Sequence, residues 1–267
     1  MAFRPPSVFK RRYPFRLATT SFIYPDDYVP NVRRLGPCVD EIELLFFESA
    51  HVPAPATIRT LASLSREYDV GYNVHLPTDL SIGQSRRAPR ARSVEALLRI
   101  FEQVAPLAPS TLTLHVPCEA PAGPPELRRP WMDAVQRSLC DLGAGLGDPA
   151  RISIENLDYP LEWLEDVIAA CGVSVCMDVG HLLVRGRDVG LFLRRFEPRI
   201  SIIHLHAAEG GRDHLPLDRL PQPVDEALGR VLAGFAGVVS LEVFSFEALT
   251  ASLGWMENRI EPCGGRA

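Results

Sequence analysis

The sequence predicts a single (β/α)8 TIM barrel, an α/β fold, and three observations support this prediction. Short apolar runs alternate with amphipathic runs from near residue 15 to the end of the chain. Eight of the apolar runs are strand candidates, and no linker or change of composition divides the 267 residues. Because a helix between two strands returns the chain to the same edge, this alternation indicates a parallel sheet, and eight such units suit a closed barrel.

The strand candidates are apolar runs, most of which end in polar residues. They are FRLATTSFI from Phe15, VDEIELLFF from Val39, VGYNVHLP from Val70, STLTLHVP from Ser110, RISIENL from Arg151, VSVCMDV from Val173, ISIIHLHA from Ile200 and VVSLEVF from Val238. Helical periodicity marks the segments between them: ATIRTLASLSREYD, SVEALLRIFEQVA, WMDAVQRSLCDL, PLEWLEDVIAAC and DEALGRVLAGF. A doubly wound open sheet is the alternative, but it would need a nucleotide-binding glycine loop, and neither GxGxxG nor GxxxxGK[ST] occurs.

One domain, residues 1–267, accounts for this pattern, with residues 1–13 and 257–267 expected to be flexible tails. Residues 78–92 and 119–130 are predicted to be long loops after the third and fourth strands. Loops on that face of a barrel often form lids or substrate walls.

Composition and charge restrict the class of protein. The N-terminal segment lacks the apolar core of a signal peptide, and no window approaches the roughly 20 apolar residues of a membrane span. A cytoplasmic protein without a membrane partner is therefore expected. The six cysteines form no CxxC pair, which favours reduced, mostly buried thiols. The net charge of -5 weighs against duplex nucleic acid as a partner. The sequence does not indicate an oligomeric state.

Ionisable residues recur at or just after the carboxyl ends of the predicted strands. They are His75, His115, His181, His204, His206 and His214, together with Glu155, Asp178 and Glu242. A single histidine of this kind would more simply be a hydrogen-bonded structural residue. Burying the whole set without a cation would be costly, because buried charge must be compensated. The sequence therefore predicts a metal centre with two or three divalent ions, Zn or Mn first, with Fe or Co as alternatives.

The ordered motifs NVHLP, TLHVP, IENL, MDVGH, IIHLHA, GRDHLPL and LEVF resemble those of the xylose-isomerase-like barrel superfamily, which includes the endonuclease-IV-type AP endonucleases (AP endonuclease family 2). The resemblance covers all eight strands. It implies a first metal held by His75, His115 and Glu155, a second held by Glu155, Asp178, His204 and Glu242, and a third with His181 and His214 among its ligands.

The sequence departs from the nuclease pattern at the third metal. The nuclease branch has Asp-x-His after strand seven, whereas Asp213 and His214 are adjacent here. Arg212 stands in place of the family Asp, and His206 in place of an Asn. Either Asp213 or His206 would complete a third site, or Arg212 would instead contact an anionic group of the substrate.

The residues favour phosphoester hydrolysis over isomerisation. Sugar isomerases and epimerases of the superfamily use one metal, held by the quartet that Glu155, Asp178, His204 and Glu242 match. There the two glutamates move protons, while a histidine matched by His181 and a nearby arginine grip hydroxyls. That reaction leaves His75 and His115 unexplained, whereas paired ions suit phosphoester hydrolysis. The candidate catalytic residues are Glu155, Glu242, His181 and Arg212.

A narrower resemblance concerns PFRLATTSFIYPDDYVPNVRRLGPCVDEIELLFFES and YNVHLPTDLSIG. Both segments look like the cobamide-remodelling phosphodiesterases (CbiR family). This resemblance implies cleavage of the phosphodiester in the nucleotide loop of a cobamide, a small-molecule corrinoid related to cobalamin. A single-metal sugar or sugar-phosphate isomerase or epimerase is the alternative, and a non-catalytic corrinoid or sugar binder is a third interpretation.

Overall fold

A computed structural model describes residues 8–118 and 124–262, in which eight parallel strands form a closed barrel. The barrel strands are β1 (Arg16–Thr20), β2 (Glu41–Leu45), β3 (Gly71–His75), β4 (Leu112–Leu114), β5 (Ile152–Glu155), β6 (Ser174–Asp178), β7 (Ile200–Leu205) and β10 (Val238–Leu241). The ring closes where β10 pairs with β1, with Val239 beside Leu17. The predicted TIM barrel is confirmed, and each predicted strand segment contains one barrel strand.

Helices follow the strands around the barrel. They are α1 (Tyr28–Leu35), α2 (Pro55–Tyr68), α3 (Arg87–Val104), α4 (Pro125–Leu146), α5 (Glu165–Cys171), α6 (Val179–Val184), α7 (Val189–Phe196), α8 (Gln222–Leu232) and α9 (Phe246–Arg259). None of the helices in the described ranges is long and apolar enough to cross a membrane.

Two helices begin earlier than the sequence predicts. Residues 87–92 and 125–130, expected to be loop, form the first turns of α3 and α4. Prolines suggested a loop in the second segment. The first position of a helix nevertheless tolerates Pro125, because proline lacks a backbone N–H and an N–H at that position has no helical partner. Residues 119–123 of that predicted loop lie outside the described residues.

The barrel separates an outer apolar core from a lumen of mixed character. Outward-facing residues such as Leu17 and Ile154 pack against the surrounding helices. Within the lumen, Ala18, Cys176, Ile202 and Val238 form a small buried cluster of their own. Because alternate residues of a strand face the same side, the residues that follow at steps of two toward the carboxyl end also face the lumen. In β7 and β10 and directly after them, these residues are two histidines, a serine and a glutamate.

A buried carboxylate lies toward the amino end of β2. Oε1 of Glu41 is 2.8 Å from Nε of Arg16. Its Oε2 accepts hydrogen bonds from Ser110 Oγ at 2.7 Å and from Asn73 Nδ2 at 3.2 Å. Burial raises the pKa of Glu41, although Arg16 acts in the opposite direction. Glu41 is thus fully partnered by side chains near the amino ends of the strands.

The thiols and the chain ends differ in part from expectation. Cys38, Cys118 and Cys176 are buried, whereas Cys140 is exposed and its Sγ lies 3.4 Å from Sγ of Cys171. Within the segments expected to be flexible tails, Phe9 and Tyr13 are buried and α9 continues to Arg259. Residues 1–7 and 263–267, which include Cys263, lie outside the described residues.

Candidate metal centre

The carboxyl ends of neighbouring barrel strands bring most of the predicted site residues into one group, here called the metal-site cluster. Its members are His75 on β3, His115 after β4, Glu155 on β5, Asp178 on β6, His181 on α6, His204 on β7, His206 after β7, His214 in the segment that follows, and Glu242 after β10. The barrel closure explains the convergence, because parallel strands end at one mouth.

Glu155 lies between three imidazoles. Its Oε2 is 3.0 Å from Nε2 of His115 and 3.3 Å from Nε2 of His75. Its Oε1 is 3.2 Å from Nδ1 of His181. Burial alone would raise the pKa of Glu155, but the charges and hydrogen bonds of these histidines lower it well below its usual range. Both carboxylate oxygens therefore face imidazole nitrogens that could bind a metal, which places the carboxylate where it could bridge two ions.

A second set converges on Nδ1 of the fully buried His204. This atom lies 3.3 Å from Oε2 of Glu242, 3.8 Å from Oε2 of Glu155 and 4.0 Å from Oδ2 of Asp178. Ligand atoms about 2.0–2.2 Å from a shared ion lie roughly 3 to 4 Å apart. The separations therefore suit one cation held by these four residues.

His206 extends the metal-site cluster on the side of Asp178. Its Nε2 lies 3.1 Å from Oδ2 of Asp178 and 3.7 Å from Oε2 of Glu242. The rings of His206 and His214 are stacked with centroids 4.3 Å apart, and the backbone N–H of His214 donates to Nδ1 of His206. His206 is thus the better placed of the two residues proposed to complete a third site.

Asp213 and Arg212 lie at the edge of the metal-site cluster. Oδ1 of Asp213 is 3.9 Å from Nε2 of His214, and Asp213 is partly exposed. Arg212 is exposed, and within residues 8–118 and 124–262 no ion pair or hydrogen bond joins its side chain to the metal-site cluster. The structure therefore does not bring Arg212 together with the other candidate catalytic residues.

An antiparallel hairpin, which the sequence analysis did not predict, positions His214. Its strands are β8 (Ala207–Glu209) and β9 (Arg212–Leu215). Gly210 and Gly211 form the two-residue turn with φ values of 60° and 79°, which glycine adopts without strain. His214 itself has a φ of 52°, in the left-handed region that few non-glycine residues adopt. Such strain is common at functional sites.

Asp178 connects the metal-site cluster to α6. Its Oδ1 accepts the backbone N–H of His181 and caps the helix, which leaves Oδ2 to face His206. Asn156, which the sequence analysis did not single out, fixes the backbone of Asp178. Its Nδ2 donates to the Asp178 carbonyl and its Oδ1 accepts the Asp178 N–H.

Glu43 is a second residue that the sequence analysis missed. It is fully buried in β2, and its Oε1 lies 2.9 Å from Nε2 of His204. Ser240 Oγ donates a hydrogen bond to the other oxygen, Oε2. The available signal was the pair Glu41 and Glu43 at a spacing of two in an apolar strand, which places both on the lumen side.

Unpartnered atoms at the centre of the cluster fit a cation. Both ring nitrogens of His204, Oε1 of Glu43 and Oε2 of Glu242 are buried without a hydrogen bond of good geometry, despite their short separations. Leaving buried polar atoms unpaired is costly. Divalent Zn or Mn would satisfy imidazole nitrogens and carboxylate oxygens together. Burial raises the pKa of the nearby Cys176 thiol, which disfavours it as a thiolate ligand.

Four histidines of the cluster, His75, His181, His204 and His206, have a raised pKa. Burial alone would lower the pKa of His75, His204 and His206. Glu155 raises that of His75 and Asp178 that of His206 above the usual range, and Cys176 followed by carboxylates does so for His204. For His181, Asp178, Glu155 and nearby carboxylates outweigh burial and raise the pKa to about 10. Because metal ions bind the deprotonated imidazole, ions and protons compete for these nitrogens.

A cavity of about 320 Å³ adjoins the cluster. His115 and His181 form the wall toward the metal-site residues, and Leu157 and Val184 contribute apolar surface. Asp158, Asp213 and the cationic Arg185 complete the lining. A ligand in this cavity would therefore contact both the metal-site histidines and one positive side chain.

Comparison with known proteins agrees with the fold. A family described as "Xylose isomerase-like TIM barrel" matches residues 29–259. No curated protein matches the sequence significantly.

Several solved structures have a similar barrel fold. The chain is similar to a D-tagatose 3-epimerase-like protein, with a TM-score of 0.75, 19% identity, and coverage of 92% of this chain and 97% of that one. It is also similar to D-psicose 3-epimerase from Clostridium cellulolyticum, with a TM-score of 0.76, 12% identity, and coverage of 92% of this chain and 100% of that one. Endonuclease IV from Thermus thermophilus is similar with a TM-score of 0.66, 17% identity, and coverage of 91% of this chain and 99% of that one. At these identities the likeness concerns the fold.

Proposed function

Since the chain belongs to the xylose isomerase-like TIM barrel family, we propose that it is a metal-dependent phosphoric-diester hydrolase with two or three divalent ions. The observation that carries this proposal is the pair His75 and His115, both within 3.3 Å of Oε2 of Glu155. A single-metal site needs only the quartet around His204. His75 and His115 supply additional ligands, which could hold a second ion next to the one at the quartet.

Each group of donors has a role in this proposal. His75, His115 and Glu155 would hold one ion, and Glu155 with Asp178, His204 and Glu242 would hold the second. His181, His206 and His214 hold a third ion or bind a phosphate oxygen. Paired ions supply an activated water and charge neutralisation at a phosphodiester. The protein's own contribution is to keep these donors buried and in place on rigid strand ends.

The proposed substrate is a small-molecule phosphodiester, the nucleotide loop of a cobamide. The support for the cobamide is the resemblance of PFRLATTSFIYPDD and YNVHLPTDLSIG to the cobamide-remodelling phosphodiesterases. The cavity beside His115 and His181 supports a small-molecule ligand, and Arg185 offers a positive charge to an anionic one.

A sugar epimerase or isomerase is the second candidate. The quartet Glu155, Asp178, His204 and Glu242 supports it, because two glutamates beside one metal suit proton transfer next to a carbonyl. Structural neighbours described as a D-tagatose 3-epimerase-like protein and a D-psicose 3-epimerase point the same way. This candidate gives His115 no direct role in the reaction.

Substrate assays on the His115→Ala variant separate the two candidates. The wild-type protein, loaded with Zn²⁺ or Mn²⁺, is assayed with bis(4-nitrophenyl) phosphate, with adenosylcobalamin and with a panel of ketoses. We expect phosphodiester cleavage that His115→Ala abolishes, and the His51→Ala variant as a control retains it, because His51 is exposed and outside the cluster. Ketose epimerisation that survives His115→Ala, without phosphodiester cleavage, would establish the second candidate instead.

A further inference from the structure

Glu43 is a buried carboxylate that the proposed reaction does not use. It lies on the lumen side of β2, a strand that contributes no ligand to the metal sites described above. Its partners are side chains of strands that do not pair with β2: His204 of β7 and Ser240 of β10. All three side chains are fully buried. A negative charge in such a place needs a defined function or a defined partner.

The two nitrogens of His204 face different groups. Nδ1 faces the oxygens of Glu242, Glu155 and Asp178, where the ion would be held. Nε2 lies 2.9 Å from Oε1 of Glu43, although the two atoms are not aligned as a hydrogen bond in the protein without metal. A metal-binding imidazole must offer a lone pair on one nitrogen, so its proton must sit on the other. A carboxylate beside the second nitrogen selects that tautomer and orients the ring.

We propose that Glu43 is a positioning residue: from its place 2.9 Å away it would accept the Nε2 proton of His204 in a hydrogen bond when the ion is bound, and so direct Nδ1 toward the metal. Ser240 supports this role, because its hydroxyl holds Oε2 of Glu43 and leaves Oε1 for His204. The proposal rests on the metal centre of the proposed function and not on phosphodiester cleavage. A sugar epimerase with the same quartet would use Glu43 in the same way.

The same strand provides a matched control. Glu41 lies two residues before Glu43, faces the same side and is also a buried carboxylate. Its partners are Arg16, Asn73 and Ser110, and none of them belongs to the metal-site cluster. A loss of metal affinity caused only by disturbing a buried charge in β2 would therefore appear in Glu41→Gln as well.

Metal affinity and the His204 tautomer test the proposal together. Zn²⁺ affinity is measured by competition with a chromophoric chelator, and the ring nitrogens of His204 by ¹⁵N NMR of the Zn²⁺-loaded protein. We expect Glu43→Ala to weaken the binding of one ion by about ten- to a hundredfold without changing the number of ions. Its His204 signals should also lose the single tautomer protonated at Nε2.

Further variants keep the test decisive if Glu43→Ala folds poorly. Glu43→Gln retains an acceptor oxygen and should recover part of the affinity, and Ser240→Ala should weaken it slightly in the same direction. Glu41→Gln should bind Zn²⁺ like wild type. Wild-type affinity and an unchanged tautomer in both Glu43 variants would overturn the proposal. Complete loss of one ion in Glu43→Gln would also overturn it, since Glu43 would then be a ligand itself.

These results are independent of the reaction. A protein that binds Zn²⁺ more weakly in Glu43→Ala, yet cleaves no phosphodiester, would retain the positioning role and refute the proposed function. A protein that cleaves phosphodiesters with unchanged Zn²⁺ affinity in the Glu43 variants would do the reverse.

Discussion

Gly180 lies directly against the ring of His206, so that a Cβ atom at residue 180 would stand 1.9 Å from Cε1 of the imidazole. This glycine belongs to the MDVGH motif, where it could serve either backbone freedom or close packing. Its φ is not among the positive values of the chain, so backbone freedom is not the reason for glycine here. The absence of a side chain lets α6 and the segment after β7 approach each other at the metal-site cluster.

The Gly180→Ala variant should displace His206 and impair metal binding. A methyl group cannot fit, and overpacking of this kind costs typically about 1–3 kcal/mol. We expect a lower melting temperature and weaker binding of at least one ion, measured by calorimetric titration with Zn²⁺. The Gly254→Ala variant is the control, because a Cβ there meets nothing within 4 Å and the residue lies inside α9. Equal Zn²⁺ affinity in both variants would rule out this role for Gly180.

Metal removal should make the stability of the protein depend on pH. The raised pKa values of His75, His181, His204 and His206 mean that the folded protein without metal holds protons that the unfolded chain releases. Their contribution to the free energy of unfolding is complete below the usual histidine pKa, about 6.5. It is lost as pH rises through the folded pKa, which for His181 is about 10.

The melting temperature of protein treated with EDTA should therefore fall as pH rises from about 6.5 to about 9, by several degrees. Protein loaded with Zn²⁺ should fall less, because ions replace the protons. Circular dichroism melting curves at a series of pH values measure both. Parallel curves for the two samples would show that these histidines do not bind the metal.

The Glu155→Gln variant should lose activity while it keeps its fold. The amide has the size of the carboxylate but no charge to bridge two cations, and we expect a loss of at least about a thousandfold in kcat. Glu247→Gln, an exposed position at the start of α9, is the control. Substrate binding that persists while turnover is lost would argue against a non-catalytic binder. Turnover close to wild type would exclude Glu155 as the bridging residue.

Arg185 should affect substrate binding more than turnover. It lines the cavity beside His115 and His181 but contributes no donor to the metal-site cluster. For an anionic substrate we expect Arg185→Ala to raise KM by about tenfold with a small change in kcat, the pattern of a uniform binding contact. Arg194→Ala, exposed on α7, should behave like wild type in the same steady-state assay. An unchanged KM would show that the substrate does not contact Arg185 and binds elsewhere at the mouth of the barrel.

Much of this architecture could be predicted from the sequence because strand periodicity and strand-end chemistry are local signals. His75, Glu155, Asp178 and Glu242 stand at or next to the ends of apolar runs, and barrel closure brings such ends together. The same reasoning could not choose between Asp213 and His206 for the third site. That choice depends on the β8–β9 hairpin, whose turn at Gly210–Gly211 sets which side chains face inward.

The residues that were missed act through contacts with other strands of the barrel. Glu43 is in the middle of its strand, and its role depends on His204, which lies three strands away around the barrel. Asn156 holds Asp178 through two backbone hydrogen bonds that no spacing in the sequence indicates. Arg212 was predicted from its position in a motif, and because its side chain is exposed, its contact with a substrate stays a prediction.

The number of metal ions per chain tests the central claim most directly. Elemental analysis of the purified protein after dialysis against Zn²⁺ and then against metal-free buffer gives this number. A bridging Glu155 with His75 and His115 predicts two or three ions in the wild type and one fewer in His115→Ala. One ion per chain in both proteins would contradict the multinuclear centre and, with it, the phosphodiesterase proposal.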